Sequence, residues 1–151
     1  MSEEYPGGCV CGAVRYVWRP GVRFKSNACH CTDCQMRSGS SFALQQTVRL
    51  EDFEVSGEMA EGGFTQPSGA RARLYNCPKC HSRIYGTNDL RPGIAIIRAG
   101  TFDHNSTITP DIHVWTRSKQ PWIVIPEGAV ALETQPDSAD GWSELVSASS
   151  S

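Results

Sequence analysis

No apolar run in this 151-residue chain approaches the roughly 20 residues that a membrane-spanning helix needs, so no span is expected. There is no run of lysine and arginine either. The 14 basic and 16 acidic residues are interspersed and leave a formal net charge of -2. That balance lacks the basic arm or patch by which proteins hold nucleic acid or an anionic membrane. The chain opens Met1-Ser2-Glu3-Glu4, without the apolar stretch of an export signal. No internal repeat is visible, and no long segment carries the 3.6-residue apolar period of a helix. These absences lead us to expect a soluble, cytoplasmic, single-domain protein, monomeric or a homodimer, with neither nucleic acid nor membrane among its partners.

The pattern that is present is that of strands. Val14, Tyr16 and Trp18 alternate with Arg15 and Val17 before Pro20-Gly21 closes the run. Further strands are expected over 41–48, 53–55, 71–75 and 82–85, and over the apolar run Ile94–Ile97 between Pro92-Gly93 and Gly100. Only 31–38 reads as helical, for a short stretch that Gly39 would end. Many short strands punctuated by glycine and proline predict an all-β domain over 1–133. The segment 58–70, with Gly62-Gly63, Pro67 and Gly69, reads as a mobile loop or, equally, as a plain surface connection. The Ser-, Asp-, Ala- and Gln-rich stretch 134–151 reads as a flexible C-terminal tail, with Trp142 and Leu145 able to dock a short turn.

The chemistry lies in seven cysteines, grouped as Cys9-Val-Cys11, Cys29-His-Cys31-Thr-Asp-Cys34 and Cys77-Pro-Lys-Cys80. An odd count leaves one thiol over in any disulfide scheme, and bridges within such short groups gain little from chain entropy. Zinc is therefore the expected partner. A structural zinc takes four ligands, while a site that does chemistry keeps one position open. The two outer pairs, Cys9, Cys11, Cys77 and Cys80, supply four thiolates. Cys29, Cys31 and Cys34 supply three. The simplest partition is one structural zinc and one catalytic zinc whose fourth place is open to water or a substrate thiol. In the alternative, zinc-ribbon partition, each pair shares a metal with part of the triad. Between its ligand neighbours, His30 is either a fourth ligand or a nearby acid–base or orienting group. Extended backbone, which points successive side chains to opposite sides, favours the second role.

At this point the residues resemble a known family. Gly8-Cys-Val-Cys-Gly-Ala-Val14, Cys29-His-Cys-Thr-Asp-Cys34 and Cys77-Pro-Lys-Cys80, in this order, are similar to the glutathione-dependent formaldehyde-activating (GFA) enzymes, a family that also includes centromere protein V. Arg98-Ala-Gly-Thr-Phe-Asp103 is similar to the family's GTLD segment, and Pro110-Asp-Ile-His113 followed by Trp122 also matches. The resemblance covers about Tyr5 to Pro126. It implies a β-tent of several small antiparallel sheets built around a structural zinc held by Cys9, Cys11, Cys77 and Cys80. It implies a catalytic zinc on Cys29, Cys31 and Cys34. The activity it implies is that of a carbon–sulfur lyase joining glutathione to formaldehyde or a related small aldehyde, as an S-(hydroxymethyl)glutathione synthase does. A non-catalytic carrier of glutathione or zinc, and a protein-interaction module, are the alternatives.

The sequence departs from the family pattern at two positions. Gln35 stands where arginine often follows the triad. His81 stands where glycine commonly follows the last pair, at a position that favours a positive φ. Asp103, His104 and His113 are candidates for proton transfer, although His113 also reads as an ordinary strand residue. Trp115 and Trp122 are expected to pack in the core or at its rim. Arg71, Arg73, Arg83, Arg91 and Arg98 read as scattered on solvated strand faces, with bidentate contacts to glutathione carboxylates as the other reading.

Overall fold

A computed structural model of the chain describes residues 3–66 and 68–147. The strands are β1 (Tyr5–Gly8), β2 (Arg15–Trp18), β3 (Ser26–Cys29), β4 (Ala43–Arg49), β5 (Phe53–Ser56), β6 (Ala60–Thr65), β7 (Arg71–Asn76), β8 (Arg83–Asn88), β9 (Ile94–Arg98), β10 (Ile112–Val114) and β11 (Val130–Ala131). Two short α-helices accompany them, α1 (Thr32–Ser38) and α2 (Ala139–Val146). The fold is all-β. No described helix is long and apolar enough to cross a membrane.

Two sheets carry the architecture. The small one has the order β1-β2-β5 and is antiparallel. The large one runs β11-β10-β3-β4-β9-β8-β7-β6. It differs from the expected antiparallel pattern at one edge, where β10 pairs in parallel with both β3 and β11. The long stretch between β3 and β10 and the loop between β10 and β11 give the chain room for these crossovers.

Alternation of side chains across the large sheet gives it two different faces. One face packs on the small sheet. Tyr16 and Trp18 of β2, with Val14 just before it, point inward as the alternation predicts, and they cluster with Val48 of β4, Ile84 of β8 and Ala95 and Ile97 of β9. Cys9 and Cys77 belong to the same cluster, so the four-cysteine group is continuous with the main core. Phe102 adds edge-on contacts to Tyr5 and Tyr16. On the other face Cys29, Ile112 and Val114 are buried beneath α2 with Val146, and Cys31, Cys34, Phe24 and Trp142 pack around them. The Cys29–Cys34 segment therefore has a second, smaller core of its own.

Three expectations are corrected here. The described part of the tail is a docked helix. The Ser138 hydroxyl accepts the Gly141 N–H as its N-cap, Val146 is fully buried, and Lys25 N–H donates to the Val146 carbonyl at 2.8 Å. Trp142 and Leu145, the two residues expected to be able to dock, pack there with Val146; Ser149, Ser150 and Ser151 lie outside the described residues. The expected loop over 58–70 holds β6, which pairs along its whole length with β7. Its side chains are largely exposed, so backbone pairing rather than burial orders it, and a reading based on apolar periodicity misses such an edge strand. Gly63 fits that role because a Cβ there would lie 2.2 Å from the Ala72 carbonyl oxygen. Trp122, finally, is 70% exposed rather than packed.

Candidate metal centres

The four-cysteine cluster forms where two distant turns meet. Cys9 and Cys11 follow β1, and Cys77 and Cys80 sit in the turn between β7 and β8. Their four sulfurs lie within 4.8 Å of one another. Cys9 Sγ and Cys11 Sγ are 3.5 Å apart, and Cys11 Sγ and Cys77 Sγ are 3.7 Å apart. Ligands at about 2.3 Å in a tetrahedron place sulfurs about 3.8 Å from each other, so the spacing fits zinc. The turns also aim donors at the sulfurs. Val14 N–H reaches Cys9 Sγ at 3.2 Å and Lys79 N–H reaches Cys77 Sγ at 3.4 Å. The Ser82 hydroxyl and backbone N–H draw the Cys80 thiol down to about 5. Such donors favour the thiolate form, which is the form that binds metal.

His81 closes the second turn with φ 64°, the left-handed conformation expected from its position, and its N–H returns to the Cys77 carbonyl at 2.9 Å. A side chain in that region costs on the order of 1 kcal/mol relative to glycine. His81→Gly should therefore raise unfolding stability by about that amount, measured by denaturant titration. A loss of stability instead would show that the imidazole makes a contact worth more than the strain.

The triad is assembled by the end of β3 and the start of α1. Cys29 is the last residue of β3 and is buried. Cys31 is the N-cap of α1, its sulfur accepting the Cys34 N–H at 3.2 Å, and Cys34 lies in the first turn. The cap folds the segment back so that all three sulfurs lie within 4.8 Å of one another. Crowding three thiols splits their acidities. Contacts with Cys29 and Cys34 pull the Cys31 thiol down to about 2, while Cys31 and Cys34 push Cys29 up. Cys34, drawn down by Cys29 but pushed up by Cys31 and burial, stands near 11. Three thiolates at this spacing repel one another, and a dication is the chemical complement of the set. Both cysteine groups therefore match zinc in donor chemistry and in spacing, grouped as the sequence partition had them.

His30 is not a fourth ligand to this set. It points to the opposite side of the strand, fully buried, with its Nε2 2.9 Å from Nδ1 of His113 on β10 and its ring stacked on the His113 ring. Burial lowers the pKa of both imidazoles, so the pair is neutral near pH 7. The sequence offers His113 as a proton-transfer group or an ordinary strand residue but not its partner, because the parallel β3–β10 pairing that brings it to His30 joins positions far apart in the chain.

Gln35 fixes the loop. Its amide nitrogen donates to the carbonyls of His30 at 2.8 Å and Ser118 at 2.9 Å, and its oxygen accepts from Gln120 at 2.7 Å. An arginine could not accept that last bond. Asp103 and His104, by contrast, sit away from the triad. Asp103 is ion-paired with Arg15 at the edge of the small sheet, and His104 is exposed beside Tyr5 and Phe102.

The arginines differ from the expectation of scattered side chains on solvated strand faces. Arg73 is half-buried and paired with Asp89, Arg91 buries its Nε without an acceptor among the described residues, and Arg83 and Arg98 are not on solvated faces. Nη1 of each is buried and has no protein acceptor among the described residues.

A search of the solved structures aligns the chain with the crystal structure of a Rhodobacter sphaeroides protein. That match has a TM-score of 0.51 and 19% identity, covering 84% of this chain and 98% of the other, and it speaks for the fold alone. A search of curated proteins finds no match. The family model described as "Glutathione-dependent formaldehyde-activating enzyme" matches residues 4–118, a span that contains all seven cysteines. With three quarters of its length under that match and its cysteines gathered into two zinc-compatible sets, this chain belongs to the glutathione-dependent formaldehyde-activating enzyme family.

Proposed function

We propose that the protein is a carbon–sulfur lyase of the S-(hydroxymethyl)glutathione synthase type, adding a thiol, glutathione in the first instance, to formaldehyde or a related small aldehyde. Family membership supports a formaldehyde-activating or related activity. The observation that carries the finer reading is the three-sulfur set itself. Cys29, Cys31 and Cys34 converge, while the neighbouring imidazole of His30 is engaged with His113. In this reading Cys29, Cys31 and Cys34 hold a catalytic zinc, and Cys9, Cys11, Cys77 and Cys80 hold a structural one. Zinc in the triad would supply the positive charge that keeps an arriving thiol ionised near neutral pH.

The chain's own residues do the rest. The α1 cap and the Gln35 clamp hold the loop in place, so the site is positioned before substrate arrives. In the addition, a sulfur lone pair forms the C–S bond and the carbonyl π pair moves to oxygen. That oxygen takes a proton from solvent. The reverse reaction returns the pair to the C=O bond and releases the thiol.

Exchange between free glutathione and its formaldehyde adduct, followed by NMR magnetisation transfer, tests this directly. The protein should raise the exchange rate above the spontaneous one in proportion to its concentration. Glutathione binding without any acceleration would leave a non-catalytic carrier. Two zincs per chain that glutathione neither displaces nor contacts would point to an interaction module.

A further inference from the structure

On the triad-bearing face of the large sheet stands a charge that the reading above does not use. Cys29 pairs with Ala43 across β3 and β4, and Gln45 pairs with Arg98 across β4 and β9. Paired residues and residues two apart share a face. Arg98 is therefore on the side of the sheet that carries Cys29, two strands away. Arg83 approaches from β8 and Arg37 from α1, where the Arg37 guanidinium lies 3.7 Å over the Phe64 ring of β6. Arg83 and Arg98 lie within electrostatic reach of each other and of Arg37. Arg98 feels the charges of Cys34, Cys29 and Cys31, and Arg83 that of Cys34.

Converging like charges cost energy, and burying a guanidinium donor without an acceptor costs more. Arg37 has a carboxylate, Asp33, at 3.9 Å. Arg83 and Arg98 have none among the described residues, and each keeps one buried Nη1 without a protein acceptor. Neighbouring sulfur charge eases the electrostatics but does not meet the directional need of a planar fork of N–H groups. The acceptor that matches that fork is a carboxylate, which takes two parallel N–H bonds.

We propose that Arg98, with Arg83 beside it, forms a carboxylate-binding subsite that holds an acid group of the thiol substrate next to the Cys29–Cys31–Cys34 set. The inference rests on the thiol-addition reading and sharpens its substrate class to thiols carrying a carboxylate within a few bonds of the sulfur-bearing residue. Simple thiols such as 2-mercaptoethanol would reach the triad without this anchor and bind more weakly.

Calorimetric titration of the zinc-loaded protein with three probes separates the possibilities: glutathione, its diethyl ester, and S-methylglutathione. Wild-type protein should prefer glutathione over the ester by about 10-fold or more, the size expected of a charge-assisted bidentate contact. Arg98→Gln should weaken glutathione and S-methylglutathione by about 10-fold and leave the ester within about twofold. Arg98→Lys, which keeps the charge but loses the fork, should fall between. Should Arg98→Gln misfold, Arg83→Gln reads the same selectivity in a second variant.

Equal binding of glutathione and its ester by the wild type overturns the subsite while leaving thiol chemistry intact. Equal weakening of both probes by Arg98→Gln, or a change in triad zinc content alone, overturns it too and makes Arg98 a structural counter-charge. S-methylglutathione binding as tightly as glutathione, in an Arg98-dependent way, would keep the subsite and sink the thiol reading. No binding of any probe sinks both.

Discussion

Cys77→Ser should leave the chain without a stable fold. Cys77 is fully buried, its sulfur lies 3.7 Å from that of Cys11, and it belongs to the main core cluster. In the proposed structural site it ties the β7–β8 turn to the segment that joins β1 and β2. Zinc held by four such thiolates is worth about 10–16 kcal/mol in small zinc-binding peptides. A domain of this size is stable by only about 5–15 kcal/mol. Serine leaves three thiolates and a buried hydroxyl, so the variant should bind at most one zinc and lose its cooperative thermal transition. A chelator strong enough to strip the site from the wild type should have the same effect. A variant that melts like the wild type with two zincs per chain would show that Cys77 is not a ligand.

Cys34→Ser should do the opposite, keeping the fold and losing the chemistry. Cys34 is only partly buried and sits in the first turn of a seven-residue helix, and the second core beneath it is made by Ile112, Val114 and Val146. The cap of α1 is the Cys31 sulfur, which this change does not touch. Zinc content should fall from two to one per chain and the melting transition should stay within a few degrees. Glutathione–formaldehyde exchange should drop by at least about 100-fold, since changes even to the groups that orient metal ligands cost about 10–100-fold. If Cys34→Ser instead unfolds as Cys77→Ser does, the triad is a second structural centre, and the catalytic assignment fails.

The pair of variants also separates what the spacing of the cysteines can and cannot say. Ligand arithmetic, four thiolates in two pairs and three in a triad, reaches the grouping that the folded chain adopts. The zinc-ribbon partition stayed open on spacing alone and is not what forms. Turn chemistry was equally readable, with Gly39 ending α1 in the left-handed region and His81 accepting it after the last pair. Each is decided within a few residues of itself. Arg98 shows the other case. Its neighbours Ala95 and Ile97 mark a buried strand, yet nothing local distinguishes a guanidinium on a wet face from one on the side of the sheet that carries Cys29.

The all-β character, the short α1 and the two cysteine sets could be read along the chain, because alternation, turn residues and ligand spacing are short-range properties. Long-range pairing and packing put β10 parallel to β3, His113 against His30, α2 over the second core, and Arg98 on the side of the large sheet that carries Cys29. Those results depend on which strands become neighbours across tens of residues, and that choice is made by the burial of the whole core rather than by any segment within it.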